Sequence, residues 1–270
     1  MTHRISRHLT ADPLPLTPLP LYRFPVRAAS ILREVSHDLL LLLALLVIVG
    51  GTWGFIELAD EVSEGSTRRL DDYVLRGMRR ADDPSRPIGP SWLPEIGRDL
   101  TALGGVAVLT LVTLGVTGYL LIRRQRWAAM LVIIATVGGL CLSSILKRAF
   151  SRPRPAIVPH LSDAFTSSFP SGHSMLSATV YLTLGALLAR FVEQRRLKLY
   201  FLVIALLLTF LVGLSRVYMG VHYPTDVLAG WTAGLVWATL CWLVARYLQR
   251  TGQIEGPQEA TDRSEKASCS

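Results

Sequence analysis

Six long stretches without a single charged residue constrain this chain more than any other feature. They run Leu39–Ile56, Thr101–Ile122, Trp127–Leu146, Ser174–Ala189, Leu199–Ser215 and Val227–Ala245. The hydrocarbon core of a bilayer is about 30 Å thick, so a crossing helix needs roughly 17–25 mainly apolar residues. The two shortest runs reach that length by extending into their polar flanks. Six such blocks in one chain are incompatible with a water-soluble globule that buries every helix. Composition agrees: charged residues make up 18% of the chain, against roughly 25% in ordinary soluble domains. The pattern predicts an all-α integral membrane protein, six transmembrane helices in a bundle.

The remaining segments are polar. Residues 1–36 form a basic, proline-containing tail. The first apolar run starts too late and runs too long for a cleavable signal peptide, so this tail is expected in the cytoplasm. Residues 37–250 make the core. They include a hydrophilic segment, 60–99, with a short helix around Leu70–Arg80 and acidic residues read as a solvated surface. Residues 251–270 are expected to be disordered. Within the spans, Gly50–Gly54 and Gly230–Gly234 have the spacing of close helix approach. Trp231, Trp237 and Trp242 read as packing residues or interfacial anchors. Three scattered cysteines offer neither a disulfide framework nor zinc-ligand spacing. The net charge of +8 suits nucleic acid, anionic lipid or a phosphorylated substrate alike. With six spans, a membrane lipid is the expected partner and nucleic acid is not; nothing bears on oligomeric state.

Ionisable groups at span ends need a reason, and three blocks are unusual. Lys147 closes the third span and leads to Arg154-Pro155. Pro170-Ser171-Gly172-His173 opens the fourth. Ser215-Arg216 closes the fifth, and His222 through Asp226 opens the sixth. The third-to-fourth and fifth-to-sixth connections are separated by two crossings, so they emerge on one membrane face. Taken singly, each block has a plain reading: lysine snorkelling to the interface, arginines on lipid headgroups, a turn and helix cap, interfacial histidines, an acid at a helix start. Together their chemistry converges. Lys147, Arg154 and Arg216 supply cations that match phosphate oxygens. Ser171-Gly172 precedes a helix whose first N–H groups favour an anion. Asp226, within reach of His222, would fix that ring's tautomer and free its other nitrogen to attack phosphorus. His173 would protonate the leaving oxygen. This inventory supports phosphoryl transfer through a phosphohistidine with no metal and no other cofactor.

At these residues the chain resembles the type 2 phosphatidic acid phosphatase family, whose pattern is K-x6-R-P, P-S-G-H and S-R-x5-H-x3-D. Here it reads Lys147…Arg154-Pro155, Pro170-Ser171-Gly172-His173 and Ser215-Arg216…His222…Asp226, with all eleven fixed letters present in order. Arg152-Pro153 is a second R-P pair, two residues out of register. The motifs span 147–226; the resemblance takes in the six-helix core but neither the tails nor 60–99. It implies His222 as nucleophile, Asp226 as its orienting partner and His173 as the acid. Lys147, Arg154, Ser171, Gly172 and Arg216 would bind the phosphoryl group. The implied activity is hydrolysis of a lipid phosphate or diphosphate, such as undecaprenyl pyrophosphate, phosphatidic acid or phosphatidylglycerophosphate. Transfer to an acceptor hydroxyl and non-catalytic lipid binding are the alternatives. Basic residues in the connections opposite the motifs, Arg123 to Arg126 and Arg190 to Lys198, narrowly favour a cytoplasmic position there. With that thin margin, the resemblance to a family whose bacterial members usually face their site outward implies a site on the periplasmic or extracellular side of the cell (inner) membrane, with both termini in the cytoplasm.

Overall fold

The computed structural model describes residues 24–162 and 166–250, which form eight helices. These are α1 (Phe24–Glu64), α2 (Arg68–Gly77), α3 (Leu93–Ala102), α4 (Val106–Ile122), α5 (Arg126–Ala149), α6 (Gly172–Phe191), α7 (Arg195–Tyr218) and α8 (Pro224–Arg250). Helix α1 begins inside the segment read as a tail. The rest of that tail, and 251–270, lie outside the described residues.

Five helices, α1 from Asp38 onward and α5 to α8, are each long and apolar enough to cross a membrane; α3 and α4, bent by 48°, can make the sixth crossing together. The run Thr101–Ile122, expected as one helix, is therefore broken. Thr101 belongs to α3, and Leu103, Gly104 and Gly105 separate it from α4. Gly105 adopts an extended backbone as the N-cap of α4. Gly104 lies so close to its neighbours that an added methyl would stand 2.4 Å from Val212 and 3.2 Å from the His173 carbonyl oxygen. Hydropathy averages across such a break and does not register it.

Helix α6 is the interior element: Met175, Leu176, Ala178 and Val180 are buried, and it packs against α4, α5, α7 and α8. The peripheral helices turn large aliphatics outward, among them Leu46, Leu111, Ile134 and Leu206. Lipid tails are as apolar as leucine, so close packing and hydrogen bonds must hold the bundle together. The Gly230–Gly234 pair brings α8 against the backbone of α6. A methyl at Gly230 would stand 2.6 Å from the Ser171 carbonyl oxygen, and one at Gly234 would stand 2.5 Å from that of Met175. Gly50 and Gly54 have no neighbour within 4 Å of such a methyl, so their spacing marks no contact among the described residues. Trp231 and Trp237 lie against Gly213 and Gly138 and donate their indole N–H to the carbonyls of Thr209 (3.1 Å) and Ala135 (2.9 Å). They are packing residues.

The hydrophilic segment is also part of the fold. Helix α2 is amphipathic, with Asp71 and Leu75 buried, and Leu75 joins Val217, Tyr223 and Val227 in one apolar cluster. Helix α3 packs on α7. Buried Arg79 donates to the Tyr218 carbonyl at 2.9 Å, at the C-terminus of α7, where a cation complements the helix dipole. The chain then turns through Gly220, whose φ of +74° suits glycine because it has no Cβ to clash. These contacts fix the α7–α8 turn.

Candidate active site

Backbone first fixes where the site residues sit. Ser171 caps α6: its side-chain oxygen accepts from the Ser174 N–H and, at 2.9 Å, from the Ser174 hydroxyl. Its own N–H donates to the Asp226 carbonyl at 2.9 Å, tying the start of α6 to the start of α8. The N–H groups that open α6, at Gly172 and His173, lie in a first turn where no intrahelical acceptor exists. Gly172 is closely packed: an added methyl would come 3.1 Å from Lys147 Cε and push that side chain aside.

The cations converge on the same end. Lys147 Nζ donates to the Ser167 carbonyl (2.9 Å). Arg154 donates to the carbonyls of Thr166 (2.8 Å) and Val221 (2.7 Å), and its Nη1 lies 3.3 Å from His222 Nε2. Arg216 is buried and donates to Thr101 Oγ1 at 2.9 Å, while its Nε has no partner among the described residues. A buried guanidinium N–H without an acceptor suits an incoming anion. Half-buried His173 is within electrostatic reach of Lys147, Arg154, Arg216 and His222.

His222 is fully enclosed, and its Nδ1 faces Asp226 Oδ2 at 3.4 Å. An arginine only donates, so the contact with Arg154 requires a lone pair on Nε2. The proton then sits on Nδ1, toward the carboxylate. Burial, opposed by Asp226, pulls the imidazole pKa down to about 4, so the ring is neutral across the ordinary pH range. The result is an unprotonated Nε2 surrounded by cations.

Asp226 does more than face the histidine. Its Oδ2 also accepts from the Tyr223 N–H at 2.9 Å and from the Ser168 hydroxyl, and its Oδ1 accepts from Arg152 at 2.6 Å. Arg152 in turn reaches Asp71 Oδ2 at 2.8 Å and lies over the Tyr223 ring at 4.2 Å. Ser168, Arg152 and Asp71 were not among the residues singled out from sequence. Asp71, taken there as part of a solvated surface, is completely buried. It sits four residues before Leu75, on the apolar stripe of α2. An acid on that stripe was the available signal. Arg152 had been set aside as the R-P pair out of register.

The structure thus brings Lys147, Arg154, Ser171, Gly172, His173, Arg216, His222 and Asp226 to one end of the bundle. A separate cavity of about 420 Å³ lies beside them, lined by Ser63, Arg68, Phe150, Arg152, Phe169 and Tyr223 among others. Among the described residues no three His, Cys, Asp or Glu side chains cluster as metal ligands would.

The chain is similar to known proteins in sequence and in fold. Residues 126–250 match the model of the PAP2 superfamily. The chain is 34% identical over 185 residues to phosphatidylglycerophosphatase B of Bacillus subtilis, a match covering 67% of this chain and 86% of that protein. It is 32% identical over 176 residues to a lipid A 1-phosphatase of Rhizobium etli, covering 55% and 71%. The crystal structure of a transmembrane PAP2-type phosphatidylglycerolphosphate phosphatase from Bacillus subtilis superposes with a TM-score of 0.70. That superposition has 28% identity and covers 76% of this chain and 98% of that one.

Proposed function

This chain belongs to the PAP2 superfamily, and from that premise we propose that it removes phosphate from a lipid phosphomonoester or diphosphate through a phosphohistidine on His222, without a metal ion. The protein is a multi-pass membrane lipid phosphatase, a hydrolase of phosphate ester or diphosphate bonds. The observation that carries the finer reading is the His222 contact set, with Nδ1 toward Asp226 and Nε2 3.3 Å from Arg154.

In the first step the Nε2 lone pair forms a bond to phosphorus while the bond from phosphorus to the lipid oxygen breaks. His173 supplies a proton to that leaving oxygen. Lys147, Arg154, Arg216 and the N–H groups opening α6 hold the phosphoryl oxygens, and Ser171 fixes the loop that presents them. Asp226 offsets the positive charge that the imidazole ring acquires. In the second step water attacks phosphorus, His173 takes its proton, and the Nε2–P bond breaks to release inorganic phosphate.

Phosphatidylglycerophosphate, phosphatidic acid and undecaprenyl pyrophosphate are the substrates of choice for assay, since relatives are named for phosphatidylglycerophosphate and undecaprenyl diphosphate hydrolysis. We place the site on the periplasmic or extracellular side, following the basic residues of the opposite connections. The test is phosphate release from these three lipids in detergent by wild type and His222→Ala. Release from at least one lipid, lost in the variant, is expected; activity of the variant near wild type would defeat the assignment. A lipid product recovered with its phosphate moved to another hydroxyl would make the chain a transferase instead.

A further inference from the structure

The phosphohistidine reading rests on His222 and Asp226, and Asp226 is itself held by groups beyond the motifs. Arg152 donates one nitrogen to Asp226 Oδ1 and another to Asp71 Oδ2. Asp71 also accepts from the Thr225 N–H at 3.1 Å, the Thr225 hydroxyl at 2.7 Å and the Thr67 hydroxyl at 3.4 Å. It is the only carboxylate other than Asp226 that pairs with Arg152 among the described residues. It comes from α2, outside the residues that match the family model.

Resting on that reading, we propose that Asp71 is a positioning residue for the phosphoryl transfer: it holds the far edge of Arg152 so that Asp226 keeps both its place and its net charge toward His222. The charge count carries the argument. Asp71, Arg152 and Asp226 together carry one net negative charge, the complement of the positive charge His222 gains when Nε2 bonds to phosphorus. With Asp71 neutralised, Arg152 cancels Asp226 and that complement disappears. Geometry acts in the same direction. The guanidinium lies over the Tyr223 ring and is forked between two acids, an arrangement a lysine ammonium cannot reproduce. Asp71 also anchors Thr225, one residue from Asp226, at the first turn of α8.

The test compares steady-state hydrolysis by full-length wild type, His222→Ala, Asp71→Asn, Asp71→Glu, Arg152→Lys and the double variant Asp71→Asn/Arg152→Lys. Asp71→Asn should lower kcat by about 10- to 100-fold, the loss that follows when a hydrogen bond to a charged group in the link behind the histidine is weakened, with KM little changed. Asp71→Glu should retain more kcat than Asp71→Asn, although asparagine is closer in shape; a purely structural role predicts the reverse. The double variant should be no slower than the slower single one, because both act through one link. Wild-type kcat in Asp71→Asn, an effect on KM alone, or multiplying effects in the double variant would overturn the proposal. Should Asp71→Asn not fold, Arg152→Lys and Asp71→Glu still decide: wild-type kcat in Arg152→Lys, or no retained activity in folded Asp71→Glu, overturns it. Full activity of His222→Ala would instead remove the phosphohistidine reading on which the proposal rests.

Discussion

The Gly230→Ala substitution asks whether the seam between α6 and α8 sets the catalytic geometry. An alanine Cβ there would stand 2.6 Å from the Ser171 carbonyl oxygen and 3.0 Å from Ser174 Cβ. An ordinary contact begins at about 3.4 Å, so the helices must part by about 0.8 Å at this level. The oxygen belongs to backbone, which cannot swing away as a side chain would. Overpacking of this kind costs about 1–3 kcal/mol, a fall of several degrees in Tm. The effect on rate should be larger, because Gly230 lies one turn beyond Asp226. The same shift separates Ser171 from the Asp226 carbonyl, and the phosphoryl-binding start of α6 from His222. A misplacement near 1 Å costs about 100-fold, so kcat for phosphate release should fall by roughly that factor in protein that remains folded. Gly54→Ala, where nothing lies within 4 Å, is the control and should match wild type. Turnover and Tm of Gly230→Ala indistinguishable from those of Gly54→Ala would refute the reasoning.

Three further outcomes are expected. Because burial holds the His222 pKa near 4, its neutral form survives as pH falls through 6.5. The acid limb of kcat/KM owed to this residue should therefore appear near pH 4; a wild-type profile that already falls off through pH 6.5 would contradict the assignment. Asp226→Asn should keep lipid binding but slow kcat by roughly a thousandfold or more, as in other histidines deprived of their orienting carboxylate. A KM rise with kcat preserved would argue against that role. Treatment with a chelator should leave phosphate release intact, and loss restored by added magnesium would point to a metal-dependent reaction.

What could be read in the sequence follows from what is local. Uncharged runs announce α1 and α5 to α8, because crossing a membrane imposes length and apolarity on consecutive residues. The motif residues are legible because each block stays within a few positions at a helix end. The break at Gly104 escaped because the neighbours that crowd it, Val212 and His173, lie over a hundred and about seventy positions away. Arg152 and Asp71 escaped for the same reason: they pair across 81 residues of chain. Ser168 meets Asp226 across 58. No spacing rule reaches that far, although an aspartate in register with Leu75 on an amphipathic helix was a usable hint.

The carbonyl partners of Lys147 and Arg154 bear on how the enzyme turns over. In the resting molecule both cations are satisfied by oxygens of Ser167, Thr166 and Val221, so an arriving headgroup exchanges one set of acceptors for another. The net gain on binding is the difference between them. The exchange also runs backwards: once orthophosphate is free, the peptide oxygens stand ready to reclaim both side chains. On the proposed mechanism, that return of the side chains to the carbonyls of Ser167, Thr166 and Val221 lowers the cost of letting orthophosphate go.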